Sequence, residues 1–197
     1  MTAQILEARP FILDIHSVNL SDEQFLRLGN DNEFLRLELT ARGELVIMPG
    51  TGGKTGLVNA NLTCQVTSWE RYFRRGVSFD SSTMFCLPNG AKRSPDVAWL
   101  KSERWNALTE QEQEGIVPLC PDFVLELRSS PDSLSFLQEK MEEYVANGAQ
   151  LGLLIDLPSK QVYLYRPNRV VEMLDAPASV NGDPLMPEFF LDLNQIW

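Results

Sequence analysis

The segment DFVLELRSSPDSLSFLQEKMEEYVANGAQLGLLID, residues 122–156, decides the fold class of this 197-residue chain. Its first seven residues are typical of a β-strand, residues 133–147 form a predicted helix that Gly148 closes, and the last six residues form a second strand. Another long helix is predicted over residues 55–75, where apolar side chains recur every three or four positions. Strands interleaved with two long helices predict an α/β or α+β fold with a mixed β-sheet flanked by helices.

The remaining elements are predicted to be short. An N-terminal helix and hairpin are expected over residues 20–48, with a helix start at Ser21 and an Ala41-Arg42-Gly43 turn. Further strands are predicted at residues 83–87, 94–100 and 161–166 and around 189–193. The length of the chain predicts a single domain over residues 1–197.

The composition restricts the class of protein. No apolar run approaches the roughly 20 residues of a membrane span, and the opening MTAQILEARP lacks the pattern of a signal peptide. Three cysteines without CxxC spacing and a single histidine argue against a disulfide framework, a zinc site and a histidine-based triad. We therefore expect a cytoplasmic protein without a membrane segment.

The charge of the chain opposes one class of function. The net charge is −10, with a pI of about 4.6, which argues against a non-specific nucleic-acid-binding protein. Two basic clusters would form a local rim for phosphates only if they converge on one cleft. Their members are Arg71, Arg74, Arg75, Lys92 and Arg93.

Two carboxylates are candidate metal ligands. Glu126 lies in the middle of the apolar strand DFVLELR, where a carboxylate is costly unless it is paired or bound to a cation. Asp96 lies in a second strand-like run, RSPDVAWL. The functional interpretation is that both carboxylates share a hard divalent cation such as Mg²⁺. The structural alternative is an ion pair of Glu126 with Arg128 or Lys140.

The helix after that strand offers a cation. Lys140 and Tyr144 are four positions apart and so share one helix face. A lysine beside two carboxylates could neutralise a transition-state phosphate or orient an attacking water. The alternative is a solvated surface lysine paired with Glu139 or Glu143.

The segment Gly53-Lys54-Thr55 resembles the end of a phosphate-binding P-loop. That motif needs a glycine at the position where this chain has Met48, so a glycine-rich connector is the simpler interpretation. Nucleotide binding is kept as a weaker third hypothesis.

Several motifs in a fixed order give the chain a family resemblance. They are LRLELTARGELVIMPGTGG (35–53), RSPD (93–96), PDFVLELRS (121–129), DSLSFLQEKMEEY (132–144), NGAQLGLLID (147–156) and VYLYRP (162–167). Together they resemble the Uma-two family of restriction-endonuclease-like proteins, common in cyanobacteria, within the PD-(D/E)XK nuclease superfamily. The resemblance extends from about residue 20 to residue 197 and implies a restriction-endonuclease-like core.

The resemblance implies a metal site. Asp96 would be the aspartate of the PD pair and Glu126 the acidic residue of the second half-motif, with the carbonyl of Leu127 as a further ligand. Glu38 falls where the superfamily often has an additional acidic residue, which could hold a second metal or orient Lys140. The implied cofactor is Mg²⁺ or Mn²⁺.

The chain departs from the superfamily at the lysine. Two positions after Glu126 stands Arg128, which stays protonated and cannot act as a general base, although it can assist by clamping a phosphate. Lys140 is placed to take over the lysine's role, as in branches where this lysine lies on the following helix. Tyr144 then fits the K-x-x-x-Y spacing, and Tyr144 and Arg93 are the implied substrate contacts.

Two functions follow from these residues. The first is a Mg²⁺-dependent endonuclease acting on DNA, with a homodimer suggested by analogy to nucleases that cut both strands. The second is a catalytically silent nuclease fold used for binding or assembly, which the acidity of the chain and Arg128 favour.

Overall fold

The computed structural model describes residues 10–18, 20–130 and 132–197. Residues 1–9, whose sequence predicts no signal peptide, lie outside the described residues. The elements are, in chain order, β1 (Phe11–Asp14), α1 (Asp22–Asp31), β2 (Arg36–Leu39), β3 (Glu44–Met48), α2 (Gly53–Phe73), β4 (Gly76–Asp80), β5 (Phe85–Cys86), β6 (Lys92–Arg93), β7 (Val97–Lys101), α3 (Ser102–Asn106), α4 (Glu110–Glu114), β8 (Phe123–Arg128), α5 (Leu134–Ala146), β9 (Leu151–Asp156), β10 (Gln161–Tyr165), β11 (Glu172–Asp175), β12 (Ser179–Asn181) and β13 (Phe190–Asp192).

The strands form two larger sheets and one small one. The first sheet has the order β1-β3-β2-β6-β5 and contains the predicted N-terminal hairpin. The second has the order β11-β10-β9-β8-β7-β4, and β12 pairs with β13. In the second sheet β8 and β9 are parallel, while the other neighbours are antiparallel. This confirms the predicted mixed sheet flanked by helices.

Strand β8 lies in the interior of the second sheet, and both of its faces are covered. Phe123, Leu125 and Leu127 belong to a core that includes residues of α2, while Val124 belongs to a core that includes residues of α5. Alternation along the strand therefore turns Glu126 towards α5. Burial on both faces explains why the strand is apolar apart from Glu126 and the terminal Arg128.

The main difference from the sequence-based prediction concerns residues 94–100, which do not form one continuous strand. Residues 92–93 pair within the first sheet, and residues 97–101 pair within the second. Between them lies Pro95, which has no N–H to donate to a ladder, so one continuous strand is not formed. The chain crosses from one sheet to the other at Ser94-Pro95-Asp96, and this crossing positions Asp96 between them.

Several short strands were absent from the sequence-based prediction, among them one at an edge of each large sheet. These edge strands are β1, in the first sheet, and β4, in the second. At the start of β4, a Cβ on Gly76 would overlap the carbonyl oxygen of Leu100, so only glycine allows this close approach. None of the helices in the described part of the chain is long and apolar enough to cross a lipid bilayer.

Candidate active site

Asp96 and Glu126 converge on one cleft, as the sequence predicts. Val97 of β7 pairs with Leu125 of β8, so Asp96 lies opposite Glu126 just beyond the end of the ladder. Both side chains line a cleft of about 630 Å³. The Leu127 N–H donates to Asp96 Oδ2 over 2.9 Å, which fixes the carboxylate against β8.

Glu126 is buried among charged and polar groups. Its Oε1 accepts a hydrogen bond from Tyr144 Oη at 3.0 Å and lies 2.8 Å from Lys140 Nζ. Burial, together with the negative charges of Asp96 and Glu38, raises the pKa of Glu126 from an ordinary 4.5 to about 7 against the opposing effect of Lys140. Burial also raises the pKa of Asp96, against the hydrogen bond from Leu127.

Lys140 is a buried ion-pair partner and not a surface lysine. The residue is 3% exposed, and its Nζ lies 2.8 Å from both Glu126 Oε1 and Glu38 Oε1. Burial favours the neutral amine, but the two carboxylates outweigh this and raise the pKa of Lys140. The suggested surface pairing with Glu139 or Glu143 is therefore wrong, and the suggested Glu126–Lys140 ion pair is present.

Glu38 reaches this cluster from β2 of the first sheet. Its Oε1 accepts hydrogen bonds from Lys140 Nζ and from the Ser94 N–H at 3.0 Å, and its Oε2 accepts from Arg93 Nη1 at 3.1 Å. Burial alone would raise the pKa of Glu38, but the charges of Lys140 and Arg93 lower it. Glu38 thus holds both the lysine and the segment that precedes Asp96.

The two basic clusters, which would form a rim if they converged, do not converge on the cleft among the described residues. Arg93 is 4% exposed, and its guanidinium is bound by Glu38 and, through Nε at 2.6 Å, by Glu143. Lys92 is also buried and pairs with Asp22 at 2.7 Å. None of the five basic residues of the two clusters lines the cleft in the described chain. Arg93 belongs to β6 of the first sheet, and its side chain is buried between Glu38 and Glu143, too deep to form part of an open rim.

Tyr144 and Arg128 each hold a buried carboxylate and do not face the open cleft among the described residues. Tyr144 is fully buried, and its hydroxyl donates to Glu126, so it contacts a carboxylate and not the open cleft. Arg128 Nη1 donates to Asp156 Oδ1 at 2.7 Å, and its Nε donates to the Asp132 carbonyl at 3.0 Å. Arg128 is absent from the residues that line the cleft in the described chain.

Two residues at the site were missed by sequence analysis. Arg36 lines the cleft and donates to the Ser81 carbonyl at 3.0 Å. Asn59 of α2 donates from Nδ2 to Asp96 Oδ1 at 3.3 Å, and its own Oδ1 is buried without a hydrogen-bond partner among the described residues. Arg36 lies within the motif at residues 35–53, from which only Glu38 was singled out, and Asn59 belongs to none of the quoted motifs.

The donor set fits one hard divalent cation. Mg²⁺ is commonly held by one or two carboxylates and keeps several waters, which matches Asp96 and Glu126. The Leu127 N–H points to Asp96, and the carbonyl of a strand residue points to the same side as its N–H. The register places Pro95 opposite Leu127, and a proline cannot donate to that carbonyl.

The charges around Lys140 leave a negative excess. Glu38, Glu126 and Glu143 share Lys140 and Arg93 as partners, and Asp96 adds a further carboxylate. With all six groups ionised, four carboxylates face two cations, and a divalent cation would balance the excess. Within the described residues, no three acidic, cysteine or histidine side chains form a ready-made metal site, so a cation here relies on the two carboxylates, backbone and water.

Comparison with known proteins identifies similarity over most of the chain. The sequence profile of the Uma2 family, described as "Putative restriction endonuclease", matches residues 22–194. A solved structure, "Crystal structure of a putative nuclease belonging to DUF820 from Anabaena variabilis ATCC 29413", superposes with a TM-score of 0.75 at 22% identity, covering 88% of this chain and 95% of that one. At this identity the likeness shows the fold alone. No curated protein matches this chain.

Proposed function

The chain belongs to the Uma2 family, and from this premise we propose that it is a Mg²⁺- or Mn²⁺-dependent nuclease that hydrolyses DNA phosphodiester bonds. The observation that carries the proposal is the convergence of Asp96, Glu126 and Lys140 on one cleft. In this proposal Asp96, Glu126 and the Leu127 carbonyl hold the cation. When bound, such a cation lowers the pKa of a water and polarises the scissile phosphate.

Lys140 takes the place of the superfamily lysine. Its ammonium lies against Glu126 and lines the cleft, so it can donate to a phosphate oxygen that reaches the two carboxylates. Negative charge builds on the phosphate oxygens during hydrolysis, and a buried ammonium stabilises that charge more strongly than an exposed one. A charged Lys140 also keeps a hydrogen-bond donor fixed where the water attacks.

Glu38 is a positioning residue in this scheme. Three donors already engage its two oxygens, namely Lys140, Arg93 and the Ser94 N–H. This saturation favours the orienting role over that of a second metal ligand. Tyr144 positions Glu126 in the same way, through the hydrogen bond from its hydroxyl.

The proposal is tested by measuring metal binding and cleavage on the same variants. Mn²⁺ binding is followed by electron paramagnetic resonance, and cleavage of labelled DNA by gel electrophoresis in Mg²⁺ or Mn²⁺. Asp96→Asn should abolish both, because an amide oxygen is a poor substitute for a carboxylate ligand. Asp175→Asn, at an exposed position on the outermost strand β11, is the matched control and should behave as the wild type.

The two readouts separate the competing functions. Mn²⁺ binding that persists in Asp96→Asn would contradict the proposed metal site. Mn²⁺ binding at Asp96 without cleavage of any nucleic acid would favour the catalytically silent fold. A homodimer that brings two clefts together stays a prediction, to be checked by light scattering with and without DNA.

A further inference from the structure

The cleft above the carboxylates is small and partly enclosed. Its volume of about 630 Å³ lies within the roughly 300–1,000 Å³ typical of sites for small ligands. The polar end holds Asp96, Glu126 and Lys140, and the walls are mostly apolar. A nucleotide has the same division, since its phosphate is charged and its base has two apolar faces.

Among the described residues, the apolar wall of the cleft contains one aromatic ring. Phe136, half-buried on the first turn of α5, lines the cleft together with Ile12 of β1 and Met48 of β3. An aromatic side chain in this position can stack on a base of any sequence. In a duplex, both faces of each base are already covered by neighbouring base pairs, so stacking on Phe136 requires an unpaired or extruded base.

The charges at the cleft do not suit an intact duplex. Tight binding of duplex DNA needs several lysine or arginine contacts to phosphates. Among the described residues that line the cleft, only Arg36 and Lys140 are basic, and Lys140 is neutralised by Glu38 and Glu126. The net charge of −10 further repels a long polyanion.

Uncharged donors take the place of lysines around the cleft. The N-terminal ends of α2 and α5 both border it, through the N-cap residues Gly52 and Ser133 and through Thr55 in the first turn of α2. Free backbone N–H groups at helix starts, and hydroxyls, can bind one or two phosphates without the long-range attraction that a duplex-binding surface needs.

We infer that the substrate of this cleft is unpaired DNA, and that one nucleotide enters the cleft with its base against Phe136. The inference rests on the proposed function and adds the substrate class to it. An overhang, a loop or a single strand would supply such a nucleotide without the cost of breaking a base pair.

The test compares one labelled 20-nucleotide strand in three forms: alone, fully paired, and paired with an unpaired overhang. Binding is measured by fluorescence anisotropy with Ca²⁺ at low salt, and cleavage with Mg²⁺ or Mn²⁺. We expect the unpaired forms to bind and react at least about 10-fold better than the blunt duplex. Phe136→Leu should weaken binding of the single strand roughly 5- to 150-fold, whereas Phe136→Tyr, which keeps the ring, should not.

Phe34→Leu is the control, because Phe34 is 100% exposed and lies outside the cleft. Equal cleavage of blunt duplex and single strand, or unchanged binding in Phe136→Leu, would overturn the inference and leave the proposed nuclease standing. Preferential, Phe136-dependent binding of the single strand without cleavage in Mg²⁺ or Mn²⁺ would overturn the nuclease and support the substrate class. Absence of both binding and cleavage would overturn both.

Discussion

The ammonium of Lys140 lies 2.8 Å from the Glu38 carboxylate, although 102 positions separate the two residues in the chain. Lys140 belongs to α5, which covers one face of the six-stranded sheet, and Glu38 belongs to β2 of the other large sheet. The candidate active site is therefore built between two sheets, and the N-terminal hairpin supplies part of it.

Lys140→Ala is expected to lose both cleavage and stability. Removing the ammonium leaves Glu38 and Glu126 buried without their shared cation, which costs about 3–5 kcal/mol. A divalent cation bound nearby should restore part of this loss, so Mn²⁺ should raise the Tm of Lys140→Ala more than that of the wild type. Thermal unfolding with and without Mn²⁺ measures the difference.

Lys54→Ala is the control for that experiment. Lys54 is exposed at the start of α2, and its removal should change neither cleavage nor Tm. If the Tm of Lys140→Ala does not change when Mn²⁺ is added, the cation does not bind beside these carboxylates. ATP binding that disappears in Lys54→Ala would revive the nucleotide hypothesis.

Glu126→Gln should make the metal-free chain less sensitive to rising pH. The folded pKa of Glu126 is about 7 and thus above its ordinary 4.5, so the folded state holds this proton more tightly than the unfolded state. The stability that results is present below pH 4.5 and is lost as the pH rises through 7. Between pH 5 and pH 8 the wild type should lose about 2 kcal/mol relative to Glu126→Gln.

Urea unfolding in a chelating buffer at a series of pH values measures this difference. Glu110→Gln, at an exposed position of α4, serves as the matched substitution and should follow the wild type. Parallel stability curves for wild type and Glu126→Gln would show that Glu126 is ionised throughout this range.

Arg36→Gln should weaken DNA binding without changing the affinity for metal. Arg36 is the one cleft-lining basic residue, among those described, without a carboxylate within ion-pair distance. Losing one phosphate contact should weaken binding roughly 10-fold and reduce the slope of log affinity against log salt by about 1. Anisotropy titrations at several salt concentrations test this, with exposed Arg169→Gln for comparison.

Arg128→Met should destabilise the fold and leave Mn²⁺ affinity unchanged. Arg128 neutralises the fully buried Asp156, so its loss should cost about 3–5 kcal/mol. Arg128→Lys creates the lysine that the resemblance described in the sequence analysis implies at this position, but it should not rescue cleavage in a Lys140→Ala background. Recovered cleavage in that double variant would mean that residue 128 can reach the scissile phosphate.

The chemistry of β8 could be predicted from sequence because it depends on a local pattern. Alternation along DFVLELR places Glu126 on the opposite face of the strand from Phe123, Leu125 and Leu127. Burying a carboxylate there is costly, and this cost pointed to a cation beside Glu126. The order of the motifs then singled out Lys140. Those steps need only neighbours along the chain or a family pattern.

Burial of the basic residues could not be predicted in the same way. Lys140 and Arg93 have the sequence context of surface residues, and their acidic partner Glu38 is far away in the chain. The same holds for Arg36 and Asn59, because only the meeting of the two sheets and α2 brings them to Asp96. The periodicity of apolar residues in a sequence does not indicate which distant elements come into contact in the fold.

The distance in sequence between Glu38 and Lys140 also sets an order of events during synthesis. A ribosome adds roughly 5–20 residues per second, so the lysine emerges about 5–20 seconds after the carboxylate that receives it. During that interval the Glu38 carboxylate of the nascent hairpin has no ion-pair partner. Because it is still hydrated, its charge carries little free-energy penalty. The cluster can close only once α5 has been made, so a nascent chain that stops before α5 has a hairpin and a carboxylate but no lysine to complete the site.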